Sequence, residues 1–262
     1  MKVFVINLDR SPERLARVKA RLDALGVPFE RVAGVDEATL DPAERKRSVS
    51  EFLWWCCSLR PITRGQVGCT LGHQKVYRKM LAEGLGHACV LEDDVVLGDR
   101  FPEVLAWLDG AVDDARPQVA LLFDHSGGRF ELPEGDGPCR LDRIGASMYA
   151  EGYVLTAKAA QAVLDANLPL RVMDDIWMRW VRQGRIELFF ARPAVCTQTS
   201  SQDGASTIVS AVVLRHEMSC LGRLWWDLRR VVGICVDACT GWPEFKGVLA
   251  LLRERIGIPW GR

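Results

Sequence analysis

The sequence lacks an excess of charge of either sign, a long apolar run and a regular cysteine motif. Lysine plus arginine and aspartate plus glutamate each total 34 in 262 residues, so no overall basic field indicates nucleic acid as a partner. No uninterrupted apolar stretch reaches the roughly 18 residues that a membrane span needs. The nine cysteines form no repeated C-x-x-C pair, and the first residues indicate a strand rather than a signal peptide. We therefore expect reduced cysteines and a cytoplasmic protein that does not cross a membrane.

The opening of the chain predicts a β-α-β unit. Residues 2–8 have the composition of a buried strand, and Ser11 followed by Pro12 is a typical helix start. Apolar residues at helical spacing extend that helix over residues 12–25, and residues 29–32 give a second short strand. Such an opening resembles a nucleotide-binding half. The G-x-G-x-x-G fingerprint is absent, so a dinucleotide is not implied.

An apolar run over residues 89–97 carries three consecutive acids, Glu92, Asp93 and Asp94. Valine and leucine on both sides are typical of a strand buried on both faces, so we place the acids where this strand leaves the sheet. The α/β folds bind ligands at such strand ends. In an extended chain Glu92 and Asp94 share a face and Asp93 points the other way. Three oxygen donors suit a hard divalent cation that holds a diphosphate, and an acidic turn is the alternative.

A second acidic pair, Asp174 and Asp175, stands in an apolar setting just before Trp177. An acid beside a tryptophan ring has the composition of a sugar-acceptor site. The other interpretation is that one of the acids caps a helix over residues 176–182. The two interpretations are compatible.

Several positions leave alternatives open. Arg10 and Arg14, four residues apart at the start of the first helix, are either phosphate ligands or solvated surface arginines. Residues 37–62 are irregular and predict an insertion or lid loop with one short helix. Residues 65–73 then lead into a helix whose inward face includes His73. This position alone favours a hydrogen-bonded core histidine over a ligand or base.

Three ordered blocks of sequence carry a family resemblance. They are V-I-N-L-D-R over residues 5–10 with Arg14, G-Q-V-G-C-T-L-G-H over residues 65–73, and L-E-D-D-V over residues 91–95. In this order and spacing they resemble glycosyltransferase family 25, which includes lipooligosaccharide and collagen galactosyltransferases. The match covers residues 1–105 and, more weakly, residues 152–156. Gly72 replaces a frequent serine and Glu37 a frequent glycine, which affects the substrate assignment more than the fold.

The resemblance implies a GT-A type, Rossmann-like α/β sheet flanked by helices. It also implies transfer of a hexose, most often galactose from UDP-galactose, with inversion at the anomeric carbon, onto a glycan such as lipopolysaccharide or lipooligosaccharide. A Mn²⁺ or Mg²⁺ ion would be held mainly by Asp94 with Glu92. The remaining donor-binding positions would be Asn7, Leu8, Arg10, Arg14, His73, Glu92 and Asp93. Asp174 or Asp175 would be the catalytic base. A nucleotide-sugar-binding module that has lost catalysis is the alternative.

The character of the sequence changes near its end. We expect the glycosyltransferase domain to occupy residues 1–208 and a helical segment to occupy residues 209–262. Arginines alternate there with leucines and tryptophans, which favours contact with an anionic surface on the inner face of the cytoplasmic membrane. The alternative is a helical pair that docks on the core.

Overall fold

A seven-stranded sheet organises the part of the chain described by the computed structural model, residues 1–58, 62–123 and 137–198. The strands are β1 (Lys2–Asn7), β2 (Glu30–Ala33), β3 (His87–Glu92), β4 (Val95–Leu97), β5 (Gln118–Leu121), β6 (Arg140–Ile144), β7 (Gly152–Thr156), β8 (Glu187–Arg192) and β9 (Cys196–Gln198). The helices are α1 (Pro12–Ala24), α2 (Pro42–Ser48), α3 (Glu51–Ser58), α4 (Arg64–Ala82), α5 (Phe101–Ala111), α6 (Ala157–Ala166) and α7 (Trp177–Arg182), and a 3₁₀ turn covers Glu37–Thr39.

The strand order in the large sheet is β2-β1-β3-β7-β5-β8-β6. Parallel pairs join β1 to β2, β1 to β3 and β5 to β8. The strands β7 and β6 run antiparallel to their neighbours. Most strands therefore point the same way, and the predicted α/β class with helices flanking a sheet is confirmed. The short strands β4 and β9 pair separately, antiparallel to each other.

The local sequence explains the first half of this sheet. The central residues of β1 and β3 are valine, phenylalanine, cysteine and leucine, and they are fully buried, as expected for strands covered on both faces. The helix α1 begins at Pro12, as predicted, and turns Val18 and Leu22 into the core. The predicted β-α-β opening is therefore confirmed.

The helix α4 connects β2 to β3 and lies very close to the chain that follows β2. A capping box between Thr63 and Gln66 fixes its first turn. A Cβ atom added at Gly68 would lie only 2.4 Å from the carbonyl oxygen of Val35, and one at Gly72 would lie 3.4 Å from the Ile6 side chain. Because these two glycines carry no Cβ atom, α4 can pack closely against Val35 and Ile6. This contact fixes which face of α4 is turned toward the end of β3.

Replacing Gly68 by alanine is expected to lower the free energy of unfolding by about 2 kcal/mol or more, because the methyl group would collide with backbone that cannot rotate away. Gly110→Ala in α5 is the matched control, since nothing lies within 4 Å of its added Cβ. Alanine there should raise the free energy of unfolding by about 0.5–1 kcal/mol. Urea unfolding followed by circular dichroism measures both values. Equal effects of the two substitutions would contradict the close packing of α4.

Three local predictions need correction. Residues 37–58 contain a 3₁₀ turn and two α-helices, where one short helix was predicted. Residues 93–94 form a turn between β3 and β4, so the extended geometry predicted for the acids does not apply. The helix α7 has Ile176 at its N-cap, with no side-chain hydrogen bond there. Thus neither Asp174 nor Asp175 occupies the N-cap position of this helix.

The predicted C-terminal segment, residues 209–262, lies outside the described residues. Among the helices that the structure does describe, none is both long and apolar enough to cross a membrane.

Candidate functional site

The acidic turn lies at the carboxyl edge of the sheet. Asn7 ends β1 and Glu92 ends β3, and Ile6 stands opposite Glu92 in the parallel register of the two strands. Asp93 and Asp94 follow directly. The prediction that the acids sit where the strand leaves the sheet is confirmed. Side chains from the ends of two neighbouring parallel strands meet at this edge, which is the usual ligand-binding position of open α/β sheets.

Asp93 is held by the end of β1 and the start of α1. Asn7 Nδ2 donates a hydrogen bond to Asp93 Oδ2 at 2.8 Å, and Arg14 Nη1 donates to Asp93 Oδ1 at 3.1 Å. Asn7 is itself fixed, because Arg31 Nε donates to its Oδ1 at 3.0 Å. Arg14 Nη1 also lies 3.8 Å from Asp94 Oδ2. Asp93 therefore orients Arg14, and the guanidinium lies beside both aspartates.

Asp94 is the most buried of the three acids, with 8% of its surface exposed. Burial raises the pKa of this carboxyl, and the negative charge of Glu92 raises it further. From β9, Gln198 Nε2 donates a hydrogen bond to Asp94 Oδ2 at 3.1 Å. A divalent cation would relieve the repulsion between Asp94 and Glu92, so this pair of hard oxygen donors fits such an ion.

Glu92 faces His73, which α4 presents to the end of β3. His73 Nε2 is 3.1 Å from Glu92 Oε1, and His73 Nδ1 is 2.7 Å from the hydroxyl of Tyr153. That hydroxyl is 2.9 Å from the hydroxyl of Tyr77. Burial disfavours the charged imidazole, but the hydrogen bond and charge of Glu92 outweigh it and raise the pKa of His73. His73 is a hydrogen-bonded buried histidine, as its position predicted, and it contacts the acidic site as well.

Cys69 is a site residue that the sequence reasoning missed. It stands four positions before His73 on α4, so both side chains are on one face of the helix. One ligand atom each of Cys69, His73 and Glu92 lie within 4.8 Å of one another. Burial raises the pKa of the Cys69 thiol, and the charges of Glu92 and Asp175 raise it further. The spacing of cysteine and histidine within the family block was the available signal.

Asp174 is buried and holds several elements together. Asn167 Nδ2 donates to Asp174 Oδ1 at 2.6 Å, and Gln74 Nε2 lies 3.4 Å from the same oxygen. The indole nitrogen of Trp180 donates to the Asp174 carbonyl at 2.8 Å. Burial raises the pKa of the Asp174 carboxyl to about 7. This residue thus links α4, the end of α6 and α7.

The Asp175 carboxyl accepts a hydrogen bond from its own backbone amide and, in the described part of the chain, makes none with the side chains that hold Asp174. Among residues 1–58, 62–123 and 137–198, no hydrogen-bond partner lies near its Oδ1. Burial raises the pKa of Asp175 to about 6, with the negative charge of Glu92 as the next cause and His73 opposing it. The charges of Glu92 and His73 change the pKa of Asp175, so the Asp175 carboxyl belongs to the same electrostatic site.

Residues 1–126 match the family described as glycosyltransferase family 25 (LPS biosynthesis protein). Over these residues, the chain belongs to glycosyltransferase family 25. The three blocks that carry the family resemblance meet in space at this site. The first block brings Asn7 and Arg14, the second brings Cys69 and His73, and the third brings the acids.

Three named members of family 25 are between 29% and 36% identical to this chain over the aligned residues. Procollagen galactosyltransferase 2 of Homo sapiens is 29% identical over 172 residues, which are 63% of this chain and 28% of that protein. Probable inactive glycosyltransferase 25 family member 3 of Rattus norvegicus is 36% identical over 179 residues, which are 66% of this chain and 31% of that protein. Inactive glycosyltransferase 25 family member 3 of Mus musculus is 35% identical over 220 residues, which cover 76% of this chain and 37% of that protein. The chain thus spans about a third of the length of these relatives.

Two of the expected donor-binding residues of this family 25 chain lie beside the acidic turn without touching it. Arg10 is half exposed and forms an ion pair with Asp36, which caps the 3₁₀ turn. The carbonyl of Leu8 accepts a hydrogen bond from the Ser11 amide at 2.9 Å, and the Leu8 side chain lies against Gly34. Their roles in donor binding stay predictions.

Proposed function

We propose that this family 25 chain is an inverting hexosyltransferase with a GT-A type sheet. It transfers galactose from UDP-galactose to a glycan acceptor such as lipopolysaccharide or lipooligosaccharide. The observation that carries the proposal is the buried Asp94 carboxyl beside Arg14 at the carboxyl edge of β1 and β3. The galactosyltransferase name of a human relative and the lipopolysaccharide term in the family description support the choice of donor and acceptor.

The donor diphosphate is proposed to bind at the acidic turn. Arg14 lies beside Asp93 and Asp94, and its fork of N–H donors suits a bidentate grip on phosphate oxygens. Asp94 with Glu92 would hold Mn²⁺ or Mg²⁺. When bound, that ion neutralises negative charge on the departing diphosphate. The hydrogen bond from Asn7 keeps Asp93 in place. Because Asp93 in turn holds Arg14, the guanidinium is positioned before the donor arrives.

The catalytic base is proposed to be Asp175. Inversion in a single displacement needs a group on the acceptor side that takes the proton of the attacking hydroxyl. Asp175 has a carboxyl oxygen, Oδ1, without a hydrogen-bond partner in the described ranges, and its pKa of about 6 leaves it ionised near neutral pH. Oδ2 of Asp174 also lacks a hydrogen-bond partner among the described residues, but its Oδ1 accepts from Asn167 and Gln74, so we assign Asp174 the role of holding the segment that carries Asp175.

A second candidate function is a nucleotide-sugar-binding module that has lost catalysis. Relatives from Rattus norvegicus and Mus musculus, 36% and 35% identical to this chain, are named as probable inactive or inactive members. Such a module would keep the donor site at the acidic turn and release no UDP when acceptors are offered.

A thermal-shift panel of nucleotide sugars, with and without Mn²⁺, tests the proposal. UDP-galactose with Mn²⁺ is expected to raise the melting temperature by several degrees, since ligand at about 100 times its Kd adds about 2.7 kcal/mol to the free energy of unfolding. GDP-mannose and ATP serve as controls and should leave the melting temperature unchanged. Release of UDP in the presence of lipooligosaccharide then distinguishes the transferase from the inactive module. No shift with any UDP-sugar would overturn both functions.

A further inference from the structure

We propose that Cys69, His73 and Glu92 form a binding site for a transition metal ion of the zinc class. Among the described residues, this is the group in which three ligand atoms of different side chains lie within 4.8 Å of one another. A thiolate, an imidazole and a carboxylate together suit Zn²⁺ or Co²⁺ rather than Mn²⁺ or Mg²⁺, which prefer oxygen ligands alone. The site shares Glu92 with the proposed Mn²⁺ site, but the inference goes beyond hexosyl transfer, because this binding requires neither donor nor acceptor.

The spacing of the His73 and Glu92 ligand atoms is close to that of tetrahedral coordination. The ligand nitrogen and oxygen of a tetrahedral zinc site are about 3.4 Å apart, given metal–ligand distances near 2.1 Å. His73 Nε2 and Glu92 Oε1 are 3.1 Å apart, so a shift of a few tenths of an ångström admits the ion between them. Binding would release to solvent the proton shared by His73 and Glu92 and the proton of the Cys69 thiol. The two negative ligands then balance the charge of the ion.

The three ligands are held by rigid elements. Cys69 and His73 share one face of α4, and the close contact of Gly68 with Val35 fixes this helix. The Glu92 amide donates a hydrogen bond to the carbonyl of Glu151 at 3.0 Å, which fixes the end of β3. A site carried by a helix and a strand is better preorganised than one carried by loops.

The second ring nitrogen of His73 also has the partner that a metal-binding histidine requires. His73 Nδ1 lies 2.7 Å from the Tyr153 hydroxyl, and Tyr153 is buried. When Nδ1 donates to this hydroxyl, the lone pair of Nε2 points toward Glu92, where the ion would sit. Outer hydrogen bonds of this kind orient metal-binding histidines in known sites.

Cobalt absorption spectroscopy on the full reduced chain tests the proposal without nucleotide or acceptor. Adding Co²⁺ is expected to produce the near-ultraviolet band of a thiolate–cobalt bond, and an equimolar amount of Zn²⁺ should abolish it. Cys69→Ser should remove the band and weaken Zn²⁺ binding at least tenfold in a calorimetric titration. Glu92→Gln should keep the thiolate band but weaken binding by a similar factor, because a charged ligand is lost.

Cys139→Ser is the matched control, since this buried thiol lies outside the cluster and donates to the Arg140 carbonyl at 3.5 Å. It should leave the cobalt band unchanged. A band that persists in Cys69→Ser, or the absence of any band in the native chain, would overturn the proposal. Either result leaves the transferase proposal standing, because that one is tested by UDP-sugar binding in Mn²⁺. Circular dichroism of each variant checks that the fold is retained.

Discussion

Asp94→Asn is expected to lower kcat/KM for hexosyl transfer at least about a hundredfold and to abolish Mn²⁺-dependent binding of UDP. The amide keeps the size of the carboxyl and can still accept the hydrogen bond from Gln198, but it removes the charge that attracts the cation. The fold should survive, because burial and the charge of Glu92 already raise the pKa of Asp94 and oppose its ionisation. Isothermal titration with UDP in the presence and absence of Mn²⁺ measures the binding directly.

Asp99→Asn is the matched control for this prediction. Asp99 lies five residues after Asp94 in the chain. Its carboxyl is exposed to solvent and pairs with Arg21 at 2.5 Å. Transfer by this variant should equal that of the native chain, since an exposed ion pair of this kind contributes little to stability. Normal turnover by Asp94→Asn, with intact UDP binding, would remove the acidic turn from the proposed mechanism.

The position of the acidic turn could be predicted from the sequence because the evidence for it is local. Apolar residues on both sides of Glu92 identify a strand buried on both faces, and acids inside such a run must lie where the strand leaves the sheet. The proline at residue 12 likewise predicted the start of α1. In each case a few neighbouring residues decide the local structure.

The contacts across the site could not be predicted in this way because they join distant parts of the chain. Asn7 reaches Asp93 across 86 positions, and Gln198 reaches Asp94 across 104. The hydroxyl of Tyr153 meets His73 because β7 pairs with β3 in an antiparallel register. No periodicity in a single sequence specifies such pairings. The turn at residues 93–94 was the alternative to an extended chain in the sequence analysis, and the local sequence did not decide between the two.

The same limit applies to the choice between Asp174 and Asp175. The two acids are adjacent, and the sequence gives them equivalent surroundings. Their difference arises from Asn167 and Gln74, which lie 7 and 100 positions from Asp174 and both approach its Oδ1. Each acid keeps one oxygen without a hydrogen-bond partner in the described ranges, Oδ2 in Asp174 and Oδ1 in Asp175. The Asp174 carboxyl is in addition tied to two buried amide groups of other elements, which suits it to fixing a segment rather than to moving a proton. The fold therefore favours Asp175 as the base.

Asp175→Asn is accordingly expected to lower kcat by about 10²- to 10⁴-fold while the Kd for UDP-galactose stays unchanged. In the native chain the rate should rise with pH through about 6 and then level off, because the base must lose its proton and its pKa is raised to about 6. The asparagine variant should lose this acid limb. Single-turnover rates over pH 5 to 8 measure the profile.

Asp174→Asn is the informative comparison, because its remaining oxygen can still accept from Asn167 and Gln74. Its kcat should stay within about tenfold of the native value, and the acid limb near pH 6 should persist. The opposite outcome, with transfer lost in Asp174→Asn and retained in Asp175→Asn, would assign the base to Asp174 and make the buried network part of the chemistry. Normal turnover by both variants would place the base outside this acidic pair, and the acceptor would then approach the anomeric carbon from another side of the site.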